Sequence, residues 1–262
     1  MRIRFGIPNR FMTLTKSGLL PLICLLFSVN SFSQEESSEV ATGDIYFGFK
    51  GGATFNRFYG SQPHKGITAG LTAGGFIGYT FNADRKMAPA VQLECSYIQK
   101  GGSLINFHSS NNVNPNDWSL WAFKAVNENI ILHNLEVPLL LKLNYRISGG
   151  RLTWVVGPSI SYNFKAMSDR EVSAMPDYNN LNEVVTFSDK ENISDRINDI
   201  HYSVVSGIGF ELPVSEKNFV VFDARYIYGL TSTYDVYSYV NNPMNNADMK
   251  VHTMSFTVGF GF

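Results

Sequence analysis

The chain has 262 residues, 44% hydrophobic and 16% charged, with a formal net charge of −1. No basic stripe is present, so a nucleic-acid partner is excluded. No apolar run of about 18 residues follows residue 33, which excludes a helical membrane span.

Arg2, Arg4, Arg10 and Lys16 form a basic start with no acidic residue before Glu35. Leu19 to Val29 is apolar except at Pro21 and Ser28, and is too short to cross a bilayer as a helix. Ser31-Phe32-Ser33 then offers small residues for cleavage, so residues 1–33 read as a secretory signal peptide. Cys24 lies inside the apolar run, which argues against lipoprotein processing. Removal of this leader leaves Cys95 alone and therefore no internal disulfide. It also leaves 17 basic against 22 acidic residues, a net charge of −5. Residues 34–43 read as a short flexible lead rich in Glu and Ser, and residues 44–262 as one β domain.

Eight alternating segments follow: Asp44–Phe58, Gly66–Phe81, Met87–Lys100, Ile131–Arg146, Arg151–Lys165, Ile200–Val214, Asn218–Leu230 and Met249–Phe262. Each exceeds the ~9–11 residues that a tilted strand needs to cross a bilayer. Their connections alternate in length. Residues 82–86, 148–150 and 215–217 are tight turns, whereas 59–65, 101–130, 166–199 and 231–248 are long. Short turns at one end and long loops at the other predict an all-β, eight-stranded antiparallel up-and-down transmembrane barrel. Both termini would then be periplasmic and the long loops external. The even strand number lets the first and last strands pair and leaves no open edge in lipid.

Side chains of a strand alternate between faces, so parity assigns each residue a side. Phe47, Phe49, Leu71, Ile77, Leu93, Leu139, Leu141, Trp154 and Phe222 fall on the outward parity. Gly48, Gly52, Thr54, Gly74, Ser96, Ser159, Gly207 and Gly209 fall on the other, predicting a small and polar interior. That interior parity also holds Lys50, Glu94, Lys100, Glu136, Lys142, Glu211, Asp223 and Arg225, four carboxylates and four cations. An eight-stranded barrel has an interior just wide enough for side chains. Buried charges there must be paired. An ion-pair plug is expected rather than an ion path, which would carry one sign of charge.

Other residues carry side chains capable of chemistry. His201 and Ser203 share one face of a strand, but no acidic residue is placed to orient the histidine as hydrolysis requires. His133 and His252 fall at the loop ends of their strands, and His64 and His108 in loops. The stretch 166–199 holds eight acidic residues without calcium-loop spacing, and a solvated, mobile loop is expected. Trp118, Trp121 and Phe123, among asparagines in the stretch 101–130, are candidate loop contacts for a ligand or partner.

The chain ends V-H-T-M-S-F-T-V-G-F-G-F, with Met254, Phe256, Val258, Phe260 and Phe262 on one face. A closing strand that keeps its aromatic alternation to the last residue is the mark of a membrane barrel, and Phe256, Phe260 and Phe262 are expected to act as its assembly signal. Several stretches in the same order resemble the PorT-like outer-membrane β-barrel proteins of Gram-negative bacteria. They are F-G-F-K-G-G-A-T-F (Phe47–Phe55), V-Q-L-E-C-S-Y-I-Q-K-G-G (Val91–Gly102), L-E-V-P-L-L-L-K-L-N-Y (Leu135–Tyr145), V-V-G-P-S-I-S-Y (Val155–Tyr162) and D-A-R-Y-I-Y-G-L-T (Asp223–Thr231). The resemblance implies an outer-membrane barrel without catalytic residues or cofactor. Its name-giving members are associated with protein secretion across the outer membrane. The expected partners are outer-membrane lipid, the barrel-assembly machinery during insertion, and an envelope or secretion partner. A structural or loop-mediated binding role is expected, with a secretion component and an outer-leaflet lipid-modifying enzyme as alternatives.

Overall fold

The computed structural model describes residues 43–60, 66–109, 123–175, 184–215, 218–233 and 249–262. Among them no helix is long and apolar enough to cross a membrane, a statement that leaves strands untouched. The strands are β1 (Asp44–Tyr59), β2 (Thr68–Thr80), β3 (Met87–Ser109), β4 (Phe123–Ile147), β5 (Gly150–Met175), β6 (Val185–Asn192), β7 (Ile200–Pro213), β8 (Phe219–Gly229) and β9 (Lys250–Gly261). All pairings are antiparallel. Eight strands close a ring in the order β1-β2-β3-β4-β5-β7-β8-β9, and β9 returns to β1 from Gly48↔Gly261 to Tyr59↔Lys250. The seam extends to the last residue, because Phe47 and Phe262 exchange backbone hydrogen bonds of 3.2 and 2.8 Å.

Alternation sorts the side chains as a bilayer demands. Phe47, Phe49, Leu71, Ile77, Leu93, Leu139, Val156, Ile208, Phe222 and Val258 are exposed on the outer face. Aromatic clusters gather toward both ends of this band. Phe47, Phe49, Phe260 and Phe262 stack at the turn end. At the loop end His252 lies against Tyr59, Tyr226 and Tyr228, and His133 against Tyr97 and Phe164. Tyr97 and Tyr226 each have a hydroxyl within hydrogen-bond distance of the neighbouring histidine Nδ1, at 2.7 and 2.6 Å. These pairs combine a flat apolar body with a satisfied polar tip, which suits a membrane–water boundary.

Three features depart from the sequence expectation. First, the stretches 101–130 and 166–199 are largely strand. β3, β4 and β5 run for 23, 25 and 26 residues, against 13, 11 and 12 for β2, β8 and β9. The surplus continues past the apolar band at the loop end, and the short β6 pairs with the projecting part of β5 from Met167↔Asn192 to Ala174↔Val185. Instead of the expected solvated loop there is a four-stranded sheet, β3-β4-β5-β6.

Second, the ladder between β4 and β5 shifts between His133 and Asn134, whose partners are Lys165 and Asn163. Phe164 is therefore an extra residue, a β-bulge. Phe164 and Lys165 are both exposed, and Ala166 is fully buried, so parity reverses there. At the same point β5 leaves β7, its partner up to Tyr162↔Ile200, and takes up β6. A single turn of 3-10 helix, Ser194–Arg196, fills the parting, and Ser194 Oγ accepts the Ala166 N–H at 3.0 Å.

Third, the interior is not uniformly small and polar. Polar layers alternate with apolar ones along the axis. Tyr46, Phe76 and Val221 pack near the turn end, and Ile98, Leu140, Val155, Val205 and Ile227 pack halfway up. Phe58, Leu104, Ile130, Leu132, Ile193 and Met249 close the loop end. Parity places most of these residues inside, although the glycines and serines beside them hide how much apolar volume the interior holds, while Leu104, Ile130 and Ile193 fall in stretches that read as loops.

Candidate functional site: a charged network inside the barrel

The eight charged residues of interior parity are all buried, none more than 8% exposed. They form two groups. The larger lies in the turn-end half of the barrel. Glu94 on β3 receives both Arg225 Nη1 contacts (2.9 and 2.8 Å) and Lys50 Nζ at 2.7 Å. Asp223 receives Arg225 Nη2 at 2.7 Å and Lys50 Nζ at 3.4 Å. Two carboxylates and two cations thus share one cluster spanning β1, β3 and β8. Lys142 on β4 donates to Glu211 on β7 and to Gln92 Oε1 at 3.3 Å, and its ammonium lies 4.8 Å from the Tyr46 ring centroid. Gln92 joins the two parts, since its Nε2 donates to Glu94 and its Oε1 also accepts the Tyr46 hydroxyl at 2.9 Å.

The smaller group lies above the middle apolar layer. Lys100 Nζ donates to Glu136 Oε1 at 3.1 Å, which also accepts Ser159 Oγ at 2.9 Å and Ser203 Oγ at 3.4 Å. Glu136 is the acidic neighbour of Ser203 that the sequence did not reveal. It bonds the serine directly, while His201 Nε2 has no hydrogen-bond partner among the described residues. A hydrolytic relay needs the histidine between serine and acid. This geometry instead satisfies a buried carboxylate.

Glycines make the room. A Cβ on Gly209 would lie 2.3 Å from Asp223 Oδ1 and 2.6 Å from Thr153 Oγ1, and one on Gly207 would lie 2.7 Å from Arg225 Cγ. Such distances are well inside van der Waals contact, so no larger residue fits without moving the network. We therefore expect Gly209→Val to lose most of its folded yield, read as the heat-modifiable band on a cold gel. Gly75→Ala, whose added carbon would meet nothing nearer than 3.5 Å, should fold normally. Equal yields from the two variants would show that the interior is looser than drawn.

Sequence reasoning overlooked Gln92, Tyr46 and Glu128. The first two share parity with Glu94 and Lys50, so alternation was signal enough for them. Glu128 is hidden because it falls in the stretch 101–130, outside the alternating segment Ile131–Arg146. It is fully buried, accepts Ser168 Oγ, and pairs with Arg170 Nε at 3.1 Å. Arg170 continues to Glu191 on β6 at 2.7 Å, and Arg196 holds the other Glu191 oxygen at 2.6 Å. The acidic residues of this stretch are thus partly neutralised by salt bridges, and no group of three metal-ligating side chains occurs among the described residues. Trp118 and Trp121 lie outside the described residues, and Phe123 is placed only as the first backbone residue of β4.

A family model described as outer membrane protein beta-barrel domain matches residues 32–235, most of the chain. The chain belongs to this family of outer-membrane β-barrel proteins. The match ends before β9, the strand that closes the ring in the structure. No curated protein matches the chain. Among solved structures, this outer-membrane barrel is similar to the attachment invasion locus protein Ail of Yersinia pestis, at 13% identity and a TM-score of 0.32, covering 83% of this chain and 98% of that one. It is also similar to the outer membrane protein OprG of Pseudomonas aeruginosa, at 12% identity and a TM-score of 0.37, covering 82% and 94%. Neisserial surface protein A stands at 11% and 0.31, covering 84% and 97%.

Proposed function

We propose that this outer-membrane barrel is a non-enzymatic anchor that carries a raised β-sheet, and that partner or ligand contact is made through that sheet and its loops. The observation that carries this reading is the filled interior. Between the apolar layers every charge of the two ion-pair groups has an opposite charge within 3.4 Å, which leaves neither a water column nor a free pair of acid and base. The elaborated part of the molecule is the projecting portion of β3, β4, β5 and β6. Three connections at the opposite end are short, which supports periplasmic termini and an external sheet.

The test is electrical and biochemical. Protein reconstituted in a planar bilayer should give no ohmic conductance steps, and partner retention after gentle extraction should depend on residues of the raised sheet. Regular conductance steps would sink the anchor reading. Within the family, the PorT-like motifs support a finer assignment, in which the partner is an outer-membrane secretion component. Loss of protein export on deletion of the gene would support that version. Unchanged lipid A in a His201→Ala, Ser203→Ala variant is expected, because no serine–histidine bond is formed.

A further inference from the structure

The turn end of the barrel carries an arrangement that neither the family nor the anchor reading accounts for. Arg146, near the end of β4, and Arg151, near the start of β5, are direct cross-strand partners. Like charges placed opposite each other in an antiparallel pair repel and destabilise the hairpin. A third arginine, Arg85 from the β2–β3 turn, lines the same pocket, together with Thr80, Ala83, Ala88 and Asn144. None of these described lining residues is acidic.

The described lining itself holds no counter-charge, although Asp84 stands in the same β2–β3 turn and Asp44 is the β1 partner of Thr80. Arg151 has Glu211 across the β5–β7 ladder at 3.9 Å, but that carboxylate already binds Lys142. Arg146 Nη2 donates to the backbone carbonyl of Ala83 at 3.0 Å, which orients the guanidinium without neutralising it. Its backbone N–H is fixed by the Lys86 carbonyl at 2.8 Å, while the Lys86 ammonium lies 5.3 Å from the ring centroid of Tyr145, a residue of the opposite parity. A second observation points the same way. Asn144 is only 4% exposed, and its side-chain oxygen has no hydrogen-bond partner among the described residues. Asparagine oxygen and nitrogen are interchangeable by a half-turn of the amide. Turned over, Asn144, which also lines the pocket, would place N–H donors where that oxygen now stands.

We propose that this pocket is an oxyanion site and that it takes a phosphate group. Planar guanidinium forks match phosphate oxygens in pairs, and two forks on directly paired residues gain attraction in place of repulsion once an anion lies between them. The phosphate can come from two sources, free inorganic phosphate or the headgroup of an anionic phospholipid, and the chemistry at the arginines is the same.

The experiment uses the full mature chain refolded in neutral detergent. The thermal midpoint is measured in sodium phosphate and in sodium chloride of matched ionic strength. In parallel, native mass spectrometry counts phosphatidylglycerol and phosphatidylcholine retained from mixed vesicles. The test variant is R85Q/R146Q, and R57Q, an exposed arginine at the other end of β1, controls for lost charge. A midpoint raised by phosphate in the wild type and in R57Q, but not in R85Q/R146Q, assigns the free anion. Selective phosphatidylglycerol retention lost only in R85Q/R146Q assigns the headgroup. No response to either probe, or responses equal in R85Q/R146Q and the wild type, overturns the site. Should R85Q/R146Q fail to refold, R146K replaces it: it keeps the charge but loses the fork, and should weaken phosphate binding about tenfold, the lower end of the loss expected for a charge-assisted hydrogen bond.

Discussion

Glu94→Gln is expected to cost about 3–5 kcal/mol of folding free energy, the usual consequence of removing one partner from a buried ion pair. The substitution keeps size and leaves an amide oxygen, so packing is little changed. What it removes is the charge that Lys50 and two contacts from Arg225 share. Asp223 would then face both cations alone, from 2.7 and 3.4 Å. Bringing charges out of water costs several kcal/mol each, and only close opposite charge repays it. The check is urea unfolding in phospholipid vesicles, followed by gel mobility. Pairing the change with Lys50→Met should recover much of the loss, because the second substitution removes the charge that the first one orphaned. A loss below about 1 kcal/mol for the single variant would mean that water reaches the cluster and screens it, as it does for surface pairs.

Leu139→Arg should destabilise the barrel in bilayers by about 2–4 kcal/mol, the cost of an arginine on the lipid face near the midplane. Leu139 lies on the outer face of β4, halfway between the aromatic boundary at His133 and that at Tyr145, and is 50% exposed. Its neighbour Leu140 points inward and is fully buried. Leu140→Ala should cost about 2–5 kcal/mol through a cavity, in detergent and bilayer alike. The two adjacent leucines thus separate by medium: the first effect needs hydrocarbon outside, the second does not. Were Leu139→Arg neutral in vesicles, the outer face would not be the lipid face.

Much of the fold is legible because a membrane barrel has a simple local rule. Phe47 and Lys50, or Leu139 and Lys142, differ in parity, and parity alone assigns a side to each. Length and turn chemistry then delimit the eight ring strands at their turn ends, but not the loop-end extensions of β3, β4 and β5. The rule fails where regular alternation does. The extra residue at Phe164 reverses parity in β5, and no local signal in Asn163-Phe164-Lys165 marks it. It exists because β5 must exchange β7 for β6 at that point. β6 itself, Val185–Asn192, is exposed along nearly its whole length and has no apolar face to reveal it as a strand.

Residue by residue, then, the chain by itself determined which side of each ring strand meets lipid, because lipid contact is a property of one side chain at a time. The tertiary structure alone decided the partners. Glu94 meets Arg225, 131 positions away, and Lys142 meets Glu211, 69 positions away. These meetings depend on the stagger between strands around the closed ring, a sum over every pairing in the barrel that no single segment encodes. The same holds for Arg146 and Arg151, whose opposition is set by a two-residue turn but whose shared pocket needs Arg85 from another hairpin.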